Sequence, residues 1–191
     1  MAAERGIGEM IRERYKLVLI YAGIPVLGLA LIFLRAEETD PFVLIWRELI
    51  IVFGYIAAFL DLESKKIPNN LLLAMFGTWV ITTALTLLVN SAAAVLLLKD
   101  AIFGCAIGGG IFLFVYLVSS KGLGGGDVKF MAAAGLYMGS TGTLSALLCG
   151  TVFAALTGIL LLIRKKVSRR DSIPLAPFLY AGILLTVFFT N

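Results

Sequence analysis

The sequence predicts an all-α, polytopic membrane bundle with six or seven transmembrane helices. Three observations lead there. The chain is 60% hydrophobic and only 15% charged, where a soluble domain is nearer half apolar and about a quarter charged. Its mean hydropathy is +1.01. Its apolar residues gather into runs of roughly 20, the length of helix that crosses a bilayer core about 30 Å thick.

Seven such runs follow in order: Tyr15 to Leu34, Phe42 to Leu60, Asn70 to Val89, Ala101 to Val118, Val128 to Met138, Thr143 to Ile163, and Leu175 to Thr190. The fifth is short and rich in Ala and Gly, so the number of full crossings is six or seven. The first is long enough to span and no small-residue cleavage site follows it, so no removable signal peptide is expected. At 191 residues the chain makes one unit, a single integral membrane domain over 1–191 with 1–14 outside the bilayer. Repeats, low-complexity tracts and soluble modules are not visible. Gly104 with Gly108, and Gly150 with Ala154, have the spacing at which small residues let helices approach closely in lipid.

Basic residues set the orientation. With the N-terminus inside, Arg5, Arg12, Arg14, Lys16, Lys65, Lys66, Lys121, Lys129 and the Arg164–Arg170 cluster all face the cytoplasm, and only Arg35, Arg47 and Lys99 fall outside. The net charge of +4 is therefore a topological signal, and no nucleic-acid partner is expected. The lipid bilayer is. Glu37, Glu38 and Asp40 lie in the first outer loop.

The chain has no histidine and its two cysteines, Cys105 and Cys149, lie inside apolar runs. Zinc modules and His-ligated metals are excluded, as are Ser–His and Cys–His catalytic pairs. The cysteines read as small buried thiols.

An ionisable residue at membrane depth is costly and is a functional candidate by default. Arg47 and Glu48, and likewise Lys99 and Asp100, read as residues at the outer interface. Asp61 ends the second run with no charge over residues 49–60. Ser64-Lys65-Lys66-Ile67-Pro68-Asn69-Asn70 follows. Pro68 stops a helix and biases Ile67 to extended geometry, and the asparagines can cap the next helix. Asp127 follows Gly122-Leu123-Gly124-Gly125-Gly126, more glycine than a simple turn needs, and opens the fifth run two residues before Lys129. Singly, Asp61 reads as an interfacial carboxylate and Asp127 as a helix-start residue. A phosphate loop fits poorly, since the P-loop Lys-Ser/Thr pair is absent. Together, the topology places both at one depth on the cytoplasmic side. Two close carboxylates can share a proton, one activating water while the other protonates the carbonyl oxygen or leaving amine. That chemistry needs no metal and no cofactor.

At these residues the sequence resembles the prepilin peptidases (type IV leader peptidases), within the GxGD class of membrane aspartic proteases. Gly122 through Lys129 matches the GxGD stretch, Asp61 through Asn69 looks like the other aspartate motif, and Ile173-Pro174-Leu175-Ala176-Pro177-Phe178-Leu179 looks like the last-helix motif. The resemblance covers roughly residues 45–190. It implies a helical bundle in the inner membrane, Asp61 and Asp127 as catalytic residues, and support from Gly122, Gly124, Gly125, Gly126, Lys129, Pro68 and Asn69. It also implies removal of a basic leader from prepilin-like membrane proteins at the cytoplasmic face. Larger relatives carry a cysteine-bearing N-terminal domain and also N-methylate. This chain resembles the compact peptidase-only form, without methyltransferase activity. Glu63 and Asp171, on the same face, are candidates to meet the basic leader. The alternatives are a small transporter, which would hold its carboxylates nearer the midplane, or a non-enzymatic scaffold of a secretion machine.

This topology predicts that Ser64→Cys and Ser168→Cys, made in a chain lacking Cys105 and Cys149, resist a membrane-impermeant thiol reagent applied outside intact cells. Strong labelling of either would invert the orientation.

Overall fold

The computed structural model describes residues 40–119, 123–164 and 174–189. These form five helices: α1 (Pro41–Ser64), α2 (Asn69–Val89), α3 (Ser91–Val118), α4 (Gly125–Ile163) and α5 (Ala176–Phe189). The first four are long and apolar enough to cross a membrane, and α5 is a shorter apolar helix. The expected first run, Tyr15 to Leu34, lies outside the described residues.

Apolar side chains cover the outside of the bundle as well as filling its core. Leu73, Leu88, Phe103, Leu117 and Ile163 are exposed, while Asp61 is buried at 5% exposure. An outer shell of Leu, Ile and Phe suits hydrocarbon, where lipid satisfies apolar surface as well as another helix would.

Local chemistry sets the helix ends. Asp40 accepts a hydrogen bond from the Phe42 N–H, with Pro41 at the first helical position of α1. Proline is favoured there because its missing N–H would have no intrahelical partner. Lys65 closes α1 in the left-handed conformation at φ 53°, its N–H on the Asp61 carbonyl at 2.8 Å. A single residue, Asn90, joins α2 to α3. Its N–H bonds the Thr86 carbonyl that ends α2, and its side chain accepts from the Ala93 N–H that opens α3. That cap starts α3 ten residues before the expected Ala101, so Lys99 and Asp100 sit within a helix and not ahead of one.

The expected fifth and sixth runs are the two arms of α4, which breaks at Gly139 (φ 67°, ψ −172°), a backbone region open essentially to glycine alone. The chain doubles back there. Along α3, Gly104 faces Gly135 and then Gly108 faces Met131, so the first arm runs antiparallel. On the second arm Gly104 meets Gly139 and Gly108 meets Thr143, so it runs parallel. Asp100 fixes the reversal. Its carboxylate accepts from both the Ser140 N–H and the Ser140 hydroxyl, capping the second arm from a neighbouring helix. A side chain at Gly139 would overlap that carboxylate.

Close approach continues around the bundle. A methyl at Gly104 or Gly135 would strike the other's carbonyl, and one at Gly182 would strike that of Ala146. Gly54 in α1 receives the Tyr180 ring of α5, and Tyr55 meets the same ring edge-on at 6.4 Å. Trp46 donates to Thr82 at 2.9 Å, and the Tyr137 hydroxyl donates to the Met75 carbonyl, fixing α1 and α4 to α2.

Gly104→Val should therefore cost more than the ~1–3 kcal/mol usual for overpacking, because backbone must move. Asp100→Ala should cost about 1 kcal/mol, the scale of a lost helix cap. Asp100→Asn, which keeps an acceptor, should cost less. Thermal unfolding in detergent followed by far-UV circular dichroism orders the three.

Candidate active site

The last turn of α1, the turn 65–68 and the first turns of α4 and α5 converge at one end of the bundle. Asp61 belongs to that last turn, and its Oδ2 accepts a hydrogen bond from the Ala176 N–H at 3.0 Å. Ala176 is the first residue of α5, where N–H groups have no intrahelical partner and favour an anion. Asp127 is the third residue of α4. Its N–H bonds the Gly124 carbonyl at 3.1 Å, while its Oδ1 is enclosed with no hydrogen-bond partner among the described residues.

Both aspartates line one cavity of about 230 Å³, closed by Lys65, Lys66, Ile67 and Gly124, Gly125 and Gly126. They are near enough for Asp127 to feel the charge of Asp61. The glycines have separate reasons. A Cβ at Gly124 would lie 3.0 Å from Asp127 Oδ2, and one at Gly126 would lie 3.3 Å from the Ile67 side chain. Gly125 faces open space. Ile67 is buried beside Gly126, and Pro68 after it is extended (φ −71°, ψ 143°).

Lys129 and Asn69 join the two aspartate segments. The Lys129 Nζ donates to Asn69 Oδ1 at 3.1 Å, tying the first turn of α4 to that of α2. The expectation that asparagine caps α2 fails here. Pro68 occupies the cap position and has no side-chain acceptor to offer, while Asn69 is already the first helical residue and its side-chain oxygen accepts from lysine.

Glu63 lies on the exposed last turn of α1, outside the cavity lining, whose charged groups besides the aspartates are lysines. Gly122 and Asp171 fall outside the described residues. Arg47 and Asp100 line a second cavity of about 190 Å³ at the opposite end of the bundle. Glu48 has an enclosed, unpartnered Oε2 among the described residues. Sequence reasoning missed the Ala176 N–H and the two cavity lysines. A backbone donor leaves no trace in residue identity, although Pro174 and Pro177 mark a helix start beside it.

Such an arrangement defines a class: a polytopic helical membrane protein with a carboxylate pair set at its helix ends. Within that class the family is plain, since residues 48–162 match the type IV leader peptidase family, and the chain belongs to it. It is 30% identical over 148 residues to a prepilin leader peptidase/N-methyltransferase of Burkholderia pseudomallei (strain 1026b), covering 72% of this chain and 45% of that one. To the leader peptidase HopD of Escherichia coli it is 38% identical over 91 residues, 44% of this chain and 59% of that one. A Bacillus subtilis (strain 168) prepilin leader peptidase/N-methyltransferase is 28% identical over 137 residues, 70% of this chain and 51% of that one. The chain thus spans about half the length of the curated relatives it matches. No solved structure matches it.

Lys129→Met should loosen the 65–69 turn by on the order of 1 kcal/mol, roughly fivefold in local opening, read as faster amide exchange there. Gly126→Val should do the same by displacing Ile67. Gly125→Ala, which meets nothing, should leave exchange unchanged.

Proposed function

We propose that this chain is an intramembrane aspartic endopeptidase that removes the basic leader of type IV prepilin-like precursors at the cytoplasmic membrane face. One observation carries the reading: Asp61 and Asp127, distant in sequence, line the same cavity. Family membership supports the substrate class, since the relatives are named as prepilin leader peptidases. The domain spans residues 1–191, with six or seven crossings of the inner membrane and a cytoplasmic N-terminus. The reversal at Gly139 supports separate fifth and sixth crossings, and the basic loops support the orientation.

The chemistry is hydrolysis by a carboxylate pair. A water held between the aspartates loses a proton to one carboxylate as its oxygen attacks the scissile carbonyl carbon. The other aspartate protonates the carbonyl oxygen, giving a neutral gem-diol in place of an oxyanion inside a poorly solvated site. Collapse returns a proton to the amine and breaks the C–N bond. The extended turn at Ile67 and the open face of Gly125 leave room beside the pair for a substrate chain in extended form, the form that exposes its carbonyl.

Asp61→Asn and Asp127→Asn should each reduce cleavage of a prepilin-like peptide at least ~10³-fold while the protein still elutes as a folded species in detergent. The double variant should be no worse than either single one, because the pair acts as a unit. The pH–rate profile of the unaltered protein should be bell-shaped and report the pair. Near-normal turnover in either single variant would remove that aspartate from the chemistry.

A further inference from the structure

The segment Pro174 to Leu179 has no part in the steps above, yet it supplies the hydrogen bond to Asp61. The geometry around the two aspartates is unequal. Asp61 Oδ2 receives the Ala176 N–H at 3.0 Å from the open start of α5, and the Leu175 N–H acts on the same carboxylate. Asp127 Oδ1 is enclosed without a partner among the described residues. Asp127 does sit in the first turn of its own helix. The Gly124 N–H acts on the Asp127 carboxylate, so the contrast is two backbone donors on Asp61 against one on Asp127, whose other oxygen is enclosed. A diffuse helix dipole is weaker than an aimed N–H, and enclosure with fewer donors favours the neutral acid.

The remaining charged groups near the pair do not undo the asymmetry. Lys65 and Lys66, in the turn after α1, line the cavity that both aspartates face, and the Lys65 charge acts on Asp61, in the same sense as the backbone donors. Glu63 is exposed on the last turn of α1. Helix α2 has no ionisable side chain, and Lys129 on α4 is directed to Asn69. On α5 the ionisable group is Tyr180, which packs against Gly54 and Tyr55.

Resting on the peptidase reading, we propose that the start of α5 assigns the two roles: the Ala176 N–H holds Asp61 as the carboxylate that deprotonates water, and Asp127 is the acid that carries the proton. In the first step Asp61 gains a proton from water, the water oxygen bonds to the carbonyl carbon, and Asp127 gives its proton to the carbonyl oxygen. In the second step Asp61 passes its proton to the amine nitrogen as the C–N bond breaks. Asp127 takes one back from a gem-diol hydroxyl, leaving a carboxyl product and both aspartates as they began. Ala176 touches no reacting atom and is a positioning residue.

Replacing Ala176 by lactic acid turns one main-chain amide into an ester, keeps the methyl and deletes this N–H. The assay is kcat/KM against pH on the whole chain in detergent, with a prepilin-like peptide read by mass spectrometry. If Asp61 is the carboxylate, losing its donor hinders the first deprotonation of the pair. The acidic limb then moves up by roughly one unit, and the basic limb stays, since Asp61 is ionised on both sides of that step. A shift of the basic limb alone would mean that Asp127 is the carboxylate, overturning the assignment. Lower turnover with both limbs fixed would overturn it too, leaving Ala176 structural. If the ester chain does not fold, Ala176→Pro deletes the same N–H at a helix-first position that tolerates proline, and the same limbs are read. Failure of the unaltered protein to cleave at any pH would defeat the peptidase reading itself, an outcome distinct from the others.

Discussion

Helices in lipid gain little by hiding apolar side chains from one another, because the surrounding hydrocarbon serves equally well. What holds this bundle together is close backbone approach. Gly104 against Gly135, Gly108 against Met131, and Gly182 against Ala146 bring helices to distances that a methyl group would forbid. These contacts set the register of both α4 arms on α3 and of α5 on the second arm. Asp127 begins the first of those arms and Ala176 begins α5, so the relative position of Asp61, Asp127 and the Ala176 N–H follows from glycines deep in the bundle. No residue near the carboxylates fixes that geometry alone.

The carboxylate pair is confined to a place where helices end. Mid-bundle, an ionised group finds neither water nor a spare N–H. At the end of a helix the backbone supplies unpaired donors, and the turns 65–68 and 123–124 supply the conformations that a helix interior denies. Lys65 in left-handed geometry, Pro68 in an extended one and Gly124 at the α4 cap are each the local means by which one helix stops and the next begins. The cavity is what remains between those stops. Its lysines give it a positive rim around the two aspartates.

Much of this was legible in the sequence where chemistry forces a choice of residue. Apolar runs separated by basic turns predicted the helices, and the second and third runs agree with α1 and α2 to within a few residues. Asp61 and Asp127 stood out because carboxylates are scarce beside such runs. Less legible were features decided by partners far along the chain. Asp100 reads as an interfacial charge, and only the folded bundle shows it capping a helix forty residues away. Asn69 reads as a cap and instead accepts from Lys129. The α3 boundary was missed because Lys99 and Asp100 look like an edge, whereas Asn90 had already opened the helix. The Ala176 donor is backbone, and alanine in a sequence carries no sign of it.

The reversal at Gly139 also sets a length. The first arm of α4, residues 125–138, is roughly 21 Å of helix, shorter than a hydrocarbon core of about 30 Å. At its turn lies a cavity lined by Arg47, Asp100 and Gly139 itself. A short apolar element meets a thicker bilayer by local thinning of the lipid or by snorkelling of flanking residues, at a modest cost for each ångström of mismatch. The break at Gly139 therefore fixes how far the arm that begins with Asp127 can reach.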